Sequence, residues 1–150
     1  MMLLSFAVGG ERYGIEIRGV RAVMPLAPLR PLDLAPAWAV GVLEIFDRLV
    51  PVVDLSRLHG EGSSRRAYST RVVLVDYAVP GGSPRMLGLV AEEMTDVVDV
   101  DAADFRDSGV VQTEAPWLGP LAPDDTGTLL QVVDVERLLP EDVRSRLFAS

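Results

Sequence analysis

A chain of 150 residues with 49 % apolar content can bury one sizeable core and is too apolar to be disordered. It has no cysteine, a single histidine (His59), and a net charge of −8 from 22 carboxylates against 14 cations, every one an arginine. Disulfide frameworks, zinc ribbons, thiol chemistry and His-rich metal sites are thereby excluded. An acidic, lysine-free chain is also a poor partner for nucleic acid or anionic membrane.

The apolar opening, Met1 to Val8, is stopped at once by Gly9-Gly10-Glu11-Arg12. That run is too short for a signal sequence and far below the roughly 20 residues of a membrane span. The expectation is a cytoplasmic protein without direct membrane insertion. Leu3–Val8 reads as a strand, and Tyr13, Ile15 and Ile17 then alternate with Gly14, Glu16 and Arg18 at the period of a half-buried one. Val20–Met24 follows, then a proline-rich loop over Pro25–Pro36, and strands over Val42–Phe46 and Leu49–Val53. Asp54 is placed to cap a single turn, because its side-chain oxygen can accept from the N–H groups that a helix start leaves free. Gly60-Glu61-Gly62-Ser63-Ser64-Arg65-Arg66 is the expected hinge or lobe boundary. Arg71–Tyr77 is a β-branched run buried on both faces, and Pro80-Gly81-Gly82 turns the chain so that Arg85–Val90 returns beside it. Val97–Val100 and Thr128–Val133 complete the strands, Asp134 takes a second cap, and Pro140–Phe148 is the best helix, with acids at its start and arginines further on. Many short strands separated by turn signals make an all-β chain of small barrels or a sandwich.

An internal echo organises these elements. Val52-Val53-Asp54-Leu55-Ser56-Arg57-Leu58 recurs 80 residues later as Val132-Val133-Asp134-Val135-Glu136-Arg137-Leu138. A fainter echo links Gly14…Val20…Val23 to Gly88…Met94…Val97, at an offset of 74. Two echoes in the same order indicate two copies of one small barrel within a single domain, 1–150. The lobes are expected at about 10–65 and 66–140, with the N-terminal strand and the C-terminal helix crossing between them.

No residue pattern points to catalysis. Asp54 and Asp134 follow apolar strands, where an acid pair could work. Their repetition instead favours a structural device, a cap or a pair with Arg57 or Arg137, which a duplication would carry along. The acidic stretch from Glu92 to Asp107 lacks the alternating oxygens and central glycine of a calcium loop. It reads as a solvated face, or a surface for a basic partner. His59 has no nucleophile motif attached and is expected at the surface; no nucleotide or phosphate loop is present. What remains is binding. Trp38, Phe46 and Trp117 are the aromatic candidates, with the tryptophans equally able to plug a barrel and Phe46, between Glu44, Asp47 and Arg48, expected to be exposed.

In order and spacing these residues resemble the CheW-like adaptor domains of bacterial chemosensory systems. The resemblance rests on Phe6, Tyr13-Gly14-Ile15, Ile17, Val20 and Val23, then Gly41-Val42 and Pro51-Val52-Val53-Asp54-Leu55. Gly88-Leu89-Val90, Val97-Val98, Asp134-Val135 and Leu138-Leu139 extend it over nearly the whole chain. It implies two five-stranded SH3-like barrels packed across a hydrophobic seam, with no catalytic residue, cofactor or metal. The implied role is a scaffold that couples the cytoplasmic tip of a methyl-accepting chemoreceptor to the regulatory domain of a CheA-type histidine kinase. Where the family reads Asn-Leu-Arg-Gly, this chain reads Glu44-Ile45-Phe46-Asp47. An aromatic in place of a planar cation exchanges forked hydrogen bonding for apolar contact. Glu44, Ile45, Phe46, Asp47 and Arg48 are therefore the expected partner-binding residues, with Asp54 and Asp134 as structural caps. The departure suggests a specialised adaptor, such as a surface-sensing, Wsp-type variant or one serving cyclic-di-GMP control. The alternative is a sensor module that binds a small molecule in the cleft between two barrels.

Overall fold

The computed structural model describes residues 1–32, 36–79, 82–107 and 115–148. In chain order the strands are β1 (Met2–Val8), β2 (Glu11–Glu16), β3 (Val20–Pro25), β4 (Ala39–Ile45), β5 (Arg48–Asp54), β6 (Arg71–Tyr77), β7 (Arg85–Asp99), β8 (Leu118–Pro123) and β9 (Leu129–Val133). Two short α-helices accompany them, α1 (Leu55–Leu58) and the C-terminal α2 (Glu141–Leu147), with three single 3₁₀ turns.

The strands close into two five-stranded barrels that share β7. Barrel one runs β4-β5-β7-β6-β3, and Arg30, just past β3, bridges Val42 of β4 to close it. Barrel two runs β8-β9-β2-β1-β7, and Arg106, just past β7, bridges Leu121 of β8. Both closures are reciprocal backbone pairs of 2.8–3.0 Å. The first half of β7 pairs with β5 and β6 and the second half with β1. Between them the register shifts, and Glu93 takes a positive φ of 48° at the bend. Two arginines hold this kink: Arg12 reaches the Glu93 carbonyl and carboxylate, and Arg65 reaches Glu92 and Glu93.

The echo in the sequence becomes an exchange of strands. Gly14 of β2 sits opposite Val132 of β9, and Gly88 of β7 opposite Val52 of β5, both in parallel pairs. Each glycine of the faint echo thus faces a valine from the other copy of the strong one. A Cβ at Gly88 would lie 3.0 Å from Val52 and 3.3 Å from Val72, so any larger residue would push on both valines. The equivalence extends to the turns, where the Asp54 N–H donates to the Trp38 carbonyl and the Asp134 N–H to the Trp117 carbonyl, each at 2.8 Å.

The largest core lies between the barrels. Period-two alternation sends Val72 and Leu74 of β6 into barrel one and Val73, Val75 and Tyr77 into the seam. On β1, Leu3 fills barrel two while Leu4, Phe6 and Val8 face the seam. Both strands therefore read as mostly apolar runs, β6 unbroken over Val72–Val75 and β1 interrupted only by the buried Ser5, because each of their faces is buried. Helix α2 covers the seam with Val143, and Phe148, just past its end, stacks on Tyr77 at 5.3 Å. Trp117 is buried in that core, and Trp38 packs against the same cluster while only half-buried, so each tryptophan plugs the seam, one of the two roles expected of it. His59 is not a free surface residue either. It caps the end of α1 and lies edge-on to Tyr13 and Trp117, at 5.9 and 5.7 Å.

β8 has no counterpart among the strands expected from sequence. Gly119, Pro120 and Pro123 punctuate it, and its register slips between Leu118 and Leu121. Prolines are tolerated there because they fall where a ladder hydrogen bond is not needed. The expected turn residues Pro80 and Gly81 lie outside the described residues, though β6 and β7 pair antiparallel as expected.

Candidate protein-interaction site

The hairpin β4–β5 joins its strands through two residues, with Ile45 paired to Arg48. Phe46 and Asp47 both take positive φ, 52° and 59°, which the tight two-residue hairpin requires at both central positions. Asparagine and glycine relieve that geometry best; phenylalanine does not. Phe46 is 74 % exposed all the same, so burial in this chain does not explain it. Glu44, Asp47 and Arg48 are exposed around it, and none forms an ion pair with a described residue. Ile45 differs from the other four, being half-buried against the barrel-one core.

Leu49, which the sequence reading missed, is 62 % exposed. It pairs with Glu44, and the alternation Leu43-Glu44-Ile45 already puts that pair on the outer face. The tip therefore presents two large apolar side chains within four residues, ringed by charge. Burying Phe46 alone against a partner would contribute about 2 kcal/mol.

The two aspartates of the repeat have different surroundings. Asp54 is 5 % exposed, and its carboxylate accepts from Ser56 N–H (3.0 Å), Ser64 N–H (2.9 Å) and Ser64 Oγ (2.6 Å). It caps α1 and anchors the 60–66 loop together. Arg57 does not pair with it, reaching Ser63 instead. Asp134 stands at the start of the turn Val135–Arg137, but its carboxylate makes no capping bond. It faces Arg137 at 3.7 Å. The difference follows from the loop after each turn, since only the first copy supplies a serine to fill the carboxylate.

The acidic stretch is not a single patch. Glu92 and Glu93 are engaged at the β7 kink, and Asp99 pairs with the N-terminal ammonium. Asp101 and Asp104 lie near Asp124 and Asp125 at the end of barrel two. Hydrogen bonds from Thr126 and neighbouring N–H groups hold the Asp124 carboxyl below its usual value. Among the described residues no group of three or more carboxylates or histidines converges as a metal site. The cleft between the barrels, about 450 Å³, is lined by Ile15, Val75 and Val133 together with Glu16, Asp76, Asp134 and Glu136. No helix among the described residues is long and apolar enough to cross a membrane.

Two five-stranded barrels that share one strand and pack across a common apolar seam define the class of fold. The chain belongs to the CheW-like domain family, which it matches over residues 2–143. It is 25 % identical over 139 residues to "Chemotaxis protein CheW" of Treponema pallidum (strain Nichols), covering 91 % of this chain and 80 % of that protein. Against "Protein FrzA" of Myxococcus xanthus it is 32 % identical over 114 residues, 71 % of each chain. Its fold superposes on the crystal structure of the scaffolding protein TtCheW from Thermoanaerobacter tengcongensis with a TM-score of 0.80, at 19 % identity, over 95 % of this chain and 89 % of the other. It is a CheW-like scaffold of chemotaxis signalling and not an enzyme.

Proposed function

We infer that this scaffold couples the cytoplasmic tip of a methyl-accepting chemoreceptor to the regulatory domain of a CheA-type histidine kinase, through partner contacts that include the β4–β5 tip. The observation that carries this reading is Phe46, exposed at a strained turn position that no packing against the described residues rewards. A strained outlier at an exposed position supports a functional role, and a large aromatic there is suited to anchor an interface. The residues Glu44-Ile45-Phe46-Asp47, in place of the family's Asn-Leu-Arg-Gly, support a cognate partner in a specialised pathway, such as surface sensing or cyclic-di-GMP control. An apolar knob selects a different pocket from a guanidinium fork.

Co-purification with receptor tips and kinase regulatory domains tests this. Phe46→Asp should weaken one of those contacts at least about tenfold while the melting temperature holds. Equal affinity of the parent and Phe46→Arg for generic chemotaxis receptors would remove the claim of a specialised partner. Ile45 is the poorer probe, since a charge there would also damage the barrel-one core. The sensor alternative has its place in the acidic inter-barrel cleft, and a thermal shift with small metabolites would favour it.

A further inference from the structure

We propose that barrel one carries a second docking surface, a groove at the opposite end from the hairpin tip, that takes an acidic, apolar peptide segment of a partner protein. The inference concerns a different face and does not rest on the receptor and kinase assignment. One wall is the segment leaving β3, with Pro25, Leu26 and Pro28; the other is the segment leading into β6, with Arg66, Tyr68 and Arg71. The pair Pro25–Arg71 ties the walls together at the base. The cavity between them is about 570 Å³, within the range of small binding clefts. The register fixes its position: Arg71 and Ala91 lie at the groove end of β6 and β7, while Tyr77 and Arg85 lie at the end from which the β4–β5 tip projects.

Three features select the occupant. Among the described residues the only charged ones lining the groove are Arg66 and Arg71, in a chain whose net charge is −8. Neither forms an ion pair with a described residue, whereas Arg65 beside them is engaged by Glu92 and Glu93. Two open guanidinium forks beside an apolar wall fit carboxylates flanking an apolar anchor. Second, Tyr68 is 99 % exposed, so its ring is free to lie along an incoming chain. Tyrosine and arginine are the residue types that dominate interface energies. Third, Pro25 and Pro28 have no N–H, which makes that wall a poor template for an added strand and favours recognition through side chains. The overall negative charge turns away polyanions such as nucleic acid. A short segment with a few carboxylates responds instead to the local field, within a Debye length of about 8–10 Å.

The test uses the whole chain and a synthetic peptide with a central Leu-Phe flanked by glutamates, against its glutamine counterpart. Amide NMR shifts should map to Leu26, Ala27 and residues 67–71. Affinity should fall at least about tenfold for the glutamine peptide and for the double variant Arg66→Glu/Arg71→Glu, and weaken with added salt. Tyr68→Ala, at a position too exposed to affect folding, should weaken binding with an unchanged melting temperature; this second variant decides the matter should the charge reversal disturb the fold. Equal binding of both peptides, or shifts confined to other faces, overturns the proposal. So does self-association abolished by the charge reversal while the peptide leaves the groove unmoved, since the occupant would then be a second copy of the chain.

Discussion

Asp54 and Asp134 occupy matching places in the repeat, yet replacing each by alanine should give very different results. Asp54→Ala removes a helix cap, about 1 kcal/mol. It also removes the acceptor for both Ser64 donors at 2.9 and 2.6 Å, about 1 kcal/mol each, from a site that is 95 % shielded from water. The total is about 3 kcal/mol, and at about 2–4 °C per kcal/mol for a chain of this size the melting point falls by about 6–12 °C. Asp134→Ala loses only an exposed ion pair of 3.7 Å to Arg137, at most about 0.5 kcal/mol and so about 1–2 °C. Scanning calorimetry with urea titration measures both, and Ser64→Ala in each background gives the coupling directly. Equal losses for the two aspartates, or less than about 1 kcal/mol for Asp54→Ala, would refute the assignment of the cap and loop anchor to the first copy alone.

Replacing Phe46-Asp47 by Asn-Gly should stabilise the protein by about 1 kcal/mol through relief of the positive-φ turn, while lowering affinity for the cognate partner; denaturation and pull-down read the two effects separately. Gly88→Ala should cost about 1–3 kcal/mol by overpacking against Val52 and Val72, measured by urea unfolding. Phe148→Ala should cost about 3–5 kcal/mol and reduce protection of the seam amides in hydrogen exchange, since the ring is buried on Tyr77. Burial pushes the Tyr13 phenol above its ordinary value near 10, helped by Glu11 and Glu61; burial likewise raises Tyr77, with Arg144 opposing. Unfolded tyrosine then loses its proton first, so this contribution is intact below about pH 10 and declines as pH rises further; Tyr13→Phe should flatten the alkaline limb.

Strand positions were legible where alternation or β-branched runs carried them, as in β1, β3 and β6, and the repeat was visible in Val-Val-Asp alone. Which strand pairs with which was not. Gly14 facing Val132 is a long-range pairing that no local pattern encodes, and the single β7 read as two strands because the bend at Glu93 interrupts its alternation. β8 stayed hidden behind its prolines. At the interaction site, Phe46 stood out as an aromatic among charges, and Leu49 could have been found from the pairing of Glu44. Tyr68 carried no signal, being one aromatic in a polar loop whose surroundings only the closed barrel brings together.

The shared strand gives the molecule a mechanical character. Fifteen residues of β7 at about 3.3 Å each make a spine with a contour of about 50 Å, clamped at its bend by Arg12 and Arg65. A shift of one barrel against the other would have to bend that strand at its clamped kink and disturb the apolar seam beside it. The two proposed contact faces, at opposite ends of barrel one, would then be joined by a common frame, with the second barrel carried on the same strand. If both faces are occupied in an ordered assembly, such a part would act as a gauge block that sets the spacing of its neighbours.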